Sequence, residues 1–184
     1  MTVPVSDLQS LNPVAIIELF ELELIEGTHF ASGNPDNVQT VFRFHSGTNM
    51  NTNSNIIWLT NSYERFPIVA EGFEKTGKGQ IPRPTLTMSN LGGISRSGVV
   101  ISVTDLLTIV NLTTPQNDLI NAKLTRRQVL ASSLDAANFP NNTNPFGTPN
   151  SNELPKEIFF IDRKMNESRE VVSFELTSKI DQQN

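Results

Sequence analysis

The sequence predicts a mainly β fold, a barrel or sandwich of about seven to nine strands with long loops and one helix. Several short stretches alternate apolar and polar residues with period two, most clearly Val172, Phe174 and Leu176 against Val171, Ser173 and Glu175. That is the signature of a half-buried strand. Segments rich in Asn, Pro and Gly separate these stretches and supply turn chemistry. One segment alone carries a convincing helical spacing of apolar residues.

Taken in chain order, residues 14–26, VAIIELFELELIE, admit two readings. As a helix, the apolar side chains would cover nearly its whole circumference. As a strand, Phe20, Leu22 and Leu24 face one way while Glu21 and Glu23 face the other, and the strand reading is preferred. TVFRFH (40–45) and IIWLT (56–60) are further strand candidates, joined by a segment with Asn at every second position from 49 to 55. Tyr63 to Phe73 reads as extended chain with Pro67 at an edge or bend. In RPTLTMSN, Leu86 and Met88 oppose Thr85 and Thr87, and SNLGG closes the strand. GVVISVTDLLTIVN (98–111) is the helix candidate, because Val103, Leu106, Leu107 and Val110 fall at i, i+3, i+4 and i+7. AKLTRRQVLASSLD (122–135) reads as a long strand that sends Arg126 and Arg127 to opposite faces. Residues 138–155 hold six Asn, four Pro and one charged residue. Such a segment reads as a long loop with no core of its own. EIFFIDR, the turn KMNES and REVVSFELTS form a C-terminal hairpin.

Composition bounds the function. The 184 residues suit a single β-rich domain spanning 1–184, or a closely packed domain pair. A net charge of -5 argues against a general electrostatic grip on nucleic acid or acidic membranes. The chain has no Cys, which excludes disulfides, thiolate catalysis and Cys-ligated zinc or iron–sulfur clusters. His29 and His45 have no second ligand at helical spacing and read as surface or loop residues. Met1 to Ser10 lacks the Lys or Arg and the apolar core of a signal peptide. No apolar run approaches the ~18–20 residues of a membrane span.

Motifs for chemistry are weak. Gly72, four residues and then Gly77-Lys78 open like a phosphate-binding loop, but Gly79 stands where a Ser or Thr hydroxyl must hold Mg²⁺. Pro82 and Pro84 then oppose the helix whose N-terminus would face the phosphates. Glu21 and Glu23 share one predicted strand face and repel each other, which reads as a solvated face rather than an acid–base pair. No strand-to-helix G-x-S-x-G occurs. Trp58 and Tyr63 are the chain's single Trp and Tyr. They are too few for a sugar platform, and Trp58 reads as core. This profile suits a structural or assembly role, so no catalytic, cofactor-binding or metal residue is assigned. A nucleotide hydrolase built around Lys78 and a carbohydrate-binding β module of a tail are the alternatives.

Three ordered motifs carry a resemblance. EGFEKTGKGQIPRPTLTMSNLGG (71–93) presents Gly72-Phe73-Glu74, Gly77-Lys78-Gly79, Arg83-Pro84-Thr85-Leu86-Thr87 and Ser89-Asn90-Leu91. LTRRQVLASSLDAANF (124–139) presents paired Arg and then Leu134-Asp135-Ala136, Asn138 and Phe139, and FELTSKID follows near the C-terminus. Together they resemble the lambda-type phage minor tail protein L family. The resemblance implies a structural virion protein of the tail tip of a phage with a long non-contractile tail, made in the host cytoplasm. It implies a β-rich domain similar to tail hub domains, and a homotrimer forming a ring of the baseplate hub. The implied neighbours are the distal tail protein, the central host-recognition protein and the tape measure. Relatives continue into a Cys-containing C-terminal domain resembling an iron–sulfur site. With no Cys here, that cluster is not possible by Cys ligation, and no separate cluster domain is expected. On this reading Lys75, Lys78 and Arg83 are candidate subunit contacts that meet an acidic neighbour, and the uncharged loop 138–155 is a docking segment ordered by its partner.

Overall fold

The computed structural model describes residues 14–33, 39–47, 55–73 and 82–179. Among these there are eleven strands and one α-helix. The mainly β expectation holds, with more strands than the sequence suggested because several are only three residues long. Strands β1 (Ile16–Glu23), β2 (Val41–His45), β3 (Ile56–Trp58), β4 (Asn61–Arg65), β5 (Ile68–Glu71) and β6 (Thr85–Ser89) precede a small hairpin of β7 (Ile94–Arg96) and β8 (Val99–Ile101). Helix α1 (Val103–Thr113), β9 (Lys123–Leu130), β10 (Glu157–Glu167) and β11 (Val171–Thr177) complete the order. The main sheet runs β3-β4-β2-β1-β9-β10-β11-β6-β5. It is open, so of the two expected forms a sandwich fits better than a closed barrel.

Contacts divide the chain into two compact units. The first holds the described residues up to Phe20, Arg43–Arg65 and Thr125–Glu157. Its core gathers Leu19, Ile56, Trp58, Tyr63, Val129, Leu134 and Phe139. Each fully buried side chain of this size stabilises by roughly 1.5–3 kcal/mol. Trp58 sits in this core as its apolar neighbours predict, and its indole N–H donates to the carbonyl of Asn150 at 3.1 Å. The hairpin β3–β4 turns through Leu59 and Thr60, both in the left-handed region at φ 49° and 65°. Two-residue hairpins favour that conformation, but β-branched Thr adopts it at a cost.

The second unit holds Glu21–Phe42, Phe66–Leu124 and the described residues from Ile158 on. The period-two pattern read from the sequence sets its register. Ile68 lies opposite Met88, and Met88 opposite Val172; Leu86 lies opposite Phe174. All five side chains are buried. On the other face Thr87 Oγ1 meets Ser173 Oγ at 3.1 Å. The stretch 63–73 splits into β4 and β5 at Phe66-Pro67, where Pro67 occupies the bend. The C-terminal hairpin turns at 168–170 rather than within KMNES, because β10 continues to Glu167 by means of two register shifts.

Helix α1 buries the four side chains its spacing indicated, Val103, Leu106, Leu107 and Val110. It starts at Val103, not 98, for two local reasons. Ser102 caps it, with its Oγ accepting from Asp105 N–H while the Asp105 carboxylate accepts from Ser102 N–H, a reciprocal capping box. Ser97-Gly98, both at positive φ, turn the preceding residues into the β7–β8 hairpin.

Candidate docking surfaces

The segment Leu134–Phe139 shows what its residue types do. Leu134 and Phe139 enter the first unit's core. Between them Asp135 and Asn138 face the β3–β4 hairpin. The Asp135 carboxylate accepts from the N–H groups of Leu59 at 3.2 Å and Thr60 at 2.8 Å, holding the left-handed turn. Asn138 Oδ1 accepts from Ile57 N–H and its Nδ2 donates to Ile57 O, both at 2.6 Å. Asn138 is buried. A polar side chain in that position is tolerated because every one of these bonds is made.

The Asn-rich segment beyond it is tied down within its own chain, which corrects the expectation that it orders only on a partner. Asn144 Nδ2 lies 3.0–3.2 Å from the carbonyls of Ala131, Ser132 and Leu134. Asn144 Oδ1 accepts from Phe146 N–H, and Phe146 packs edge-on against Phe139. Phe146 stays 48% exposed, a half-open aromatic ring on a stretch without charge. The tandem arginines diverge as a strand requires. Arg126 pairs with Glu18 and Glu157. Arg127 grips Glu153 at 2.9 and 3.0 Å and lies over the Trp58 ring.

In the second unit Asn90 joins three elements. Its Oδ1 accepts from Thr104 N–H at 3.0 Å, and its Nδ2 reaches Thr104 Oγ1 and Ser168 O, both at 2.9 Å. Thr104 passes the link to Glu167, which also binds Lys164. Hydrogen bonds from Lys164 and Thr104 hold the Glu167 carboxyl below its ordinary range. Beside this junction Leu91 is 71% exposed.

Arg83 stands just before β6, with Nη1 3.2 Å from Glu175 Oε1 and 4.0 Å from Asp162 Oδ2. Arg163 binds the same Glu175 at 2.6–2.7 Å. The hydrogen bond from Arg163, and then that from Arg83, keep Glu175 below the usual carboxylate range despite its burial.

Residues 35–184 match the model of the family described as Phage minor tail protein L. The chain belongs to the phage minor tail protein L family. Membership places it among the structural proteins of phage tails. It is also similar to Tail tip protein L of Escherichia phage lambda, with 35% identity over 86 residues. That match covers 47% of this chain and 31% of the lambda protein, so the chain spans less than a third of that relative.

For this minor tail protein L chain, the site residues suggested by sequence divide into two groups. Arg83 is described above, half exposed and already paired with an acid of its own chain. Lys75 and Lys78 lie outside the described residues, as does most of the phosphate-loop-like stretch. Gly72, which opens that stretch, adopts φ 85°, a conformation open to glycine at little cost. The expectation of surface histidines is corrected, since His29 and His45 are 1% and 0% exposed. His29 is held by backbone groups instead. Its Nδ1 accepts from Ile25 N–H at 2.8 Å, and its Nε2 lies 2.9 Å from Ile120 O, the donor arrangement of a neutral ring. Glu23 is also not left to repulsion, because Lys123 binds it at 2.7 Å. The minor tail protein L residues that sequence reasoning missed as structural anchors are Asn90, Asp135 and Asn138. All three sit in family-like motifs, and that position was the available signal.

Proposed function

We propose that this chain is a structural component of the tail tip of a phage with a long non-contractile tail. In this reading it forms a ring of the baseplate hub between the distal tail protein and the central host-recognition protein. The ring is a homotrimer and the tape measure lies within reach. Lys75, Lys78 and Arg83 are its candidate subunit contacts, and the chain is made in the host cytoplasm before entering the virion. No cofactor takes part. The observation that carries the reading is the family match over residues 35–184, supported by a relative named for the tail tip. A β-rich body with a half-exposed Phe146 and an exposed Leu91 is compatible with protein–protein docking. The sugar-binding alternative loses its platform, because Trp58 and Tyr63 are buried.

The deciding experiment is mass in solution, for the chain alone and mixed with its tail-tip neighbours. A trimer, or a monomer recruited into a threefold ring by those neighbours, supports the proposal. A monomer that ignores them overturns it.

A further inference from the structure

Strand β3 ends the main sheet, and an edge strand offers unpaired backbone groups to any other chain. In the β3–β4 hairpin Trp58 stands opposite Asn61, and Ile57 opposite Ser62. With a two-residue turn the Trp58–Asn61 pair is the hydrogen-bonded one. The Ile57–Ser62 pair is therefore not, and the N–H and C=O of Ile57 point away from β4. Those two groups are a ready template for a further strand.

The usual protections are missing from this edge. From Asn55 to Ser62 the sequence has no Lys, Arg, Asp, Glu or Pro. Charge repulsion and a missing donor therefore do nothing to keep a second chain away. What does occupy the edge is Asn138, whose carboxamide carries the same donor and acceptor as a peptide group. Both of its bonds to Ile57 are 2.6 Å long, and Asp135 N–H adds a 3.2 Å bond to the same carbonyl.

We infer that Asn138 is an edge guard, an autoinhibitory contact that keeps β3 from pairing with β3 of a second copy of this chain. The geometry selects that occupant. One residue offering one outward N–H and one outward C=O is what an antiparallel pair exchanges with its twofold mate. A copy of the chain presents the same uncharged edge, so nothing opposes the approach once the guard is gone. This inference does not rest on the ring proposed above, because its test reads the substituted chain against the unsubstituted one.

The test is sedimentation of Asn138→Ala and of Asn138→Ala with Ile57→Pro over a wide range of concentration, with amide exchange read at Ile57. Pro at 57 removes the outward donor while the β4 pairing needs none from that residue. The single variant is expected to at least double its mean mass relative to the unsubstituted chain as concentration rises, with Ile57 protected in the larger species. The double variant is expected to return to the unsubstituted mass. A folded Asn138→Ala chain of unchanged mass overturns the inference, and so does association that persists in the double variant. If Asn138→Ala fails to fold, Asn138→Asp replaces it, retaining the shape and losing the donor to Ile57 O. Failure of both to fold makes Asn138 a folding residue only and also overturns the guard.

Discussion

Asn138 and Ile57, 81 residues apart, exchange two hydrogen bonds of 2.6 Å through one carboxamide. A third bond ties Asn138 Nδ2 to the carbonyl of Asp135 at 2.7 Å. Asn138→Ala removes all three and strands buried backbone groups on β3. The expected cost is about 2–4 kcal/mol, read from denaturant unfolding at high dilution, where association plays no part. A change within measurement error would mean that solvent replaces the carboxamide without penalty.

The Leu59-Thr60 turn makes the opposite prediction. Both residues hold positive φ, and the hairpin geometry favours Asn-Gly there. Leu59→Asn with Thr60→Gly is expected to raise stability by about 1 kcal/mol, because backbone strain is relieved. Asp135→Ala is expected to lower it by about 1–2 kcal/mol, because the N–H groups of Leu59 and Thr60 lose their carboxylate. Thermal melts of the two variants check both signs.

His29 sets a pH dependence. Burial pushes its pKa below the ordinary value near 6.5, outweighing the hydrogen bonds to Ile120 and Asn117. The charged groups on the neighbouring segments are engaged elsewhere, Glu26 with Gly33 N–H and Asp118 with Asn111 and Lys164. In the window between the lowered folded pKa and the unfolded one, the unfolded chain binds more protons than the folded chain. Stability is therefore complete above about 6.5 and declines as pH falls through that window. His29→Gln keeps hydrogen-bonding capacity without titrating, so its stability profile is expected to lose this slope. An unchanged slope would assign the decline to another group.

Arg83, Lys75 and Lys78 bear on assembly. Lys78→Glu is expected to weaken entry into tail tips while leaving the melting temperature of the isolated chain unchanged. Arg83→Glu is expected to do both kinds of damage, because it also puts a carboxylate beside Glu175. Normal tail-tip formation by the Lys78 variant would remove that residue from the subunit contact.

Much of the fold was legible in the sequence. The inward row Val172, Phe174 and Leu176, the pairing faces of Leu86 and Met88, and the buried face of α1 follow from spacing alone. Less was legible where a few residues of turn chemistry competed with a longer pattern. The helix begins late because Ser102 caps it and Ser97-Gly98 turn the chain just before. The hairpin turn moved because β10 absorbs register shifts that no periodicity announces.

The sequence by itself determined the strand class, the helix face, the absence of thiol chemistry and the family-like motifs, because these depend on residue type and local spacing. Tertiary structure alone decided the fate of the polar residues. It buried His29 against two backbone groups, sent Arg126 and Arg127 to different acids, and set Asn138 against Ile57. A buried polar side chain is stable only when a partner meets it, and here those partners lie many positions away in sequence. Periodicity reports which face a side chain occupies, and only the folded chain brings the distant donor or acceptor to it.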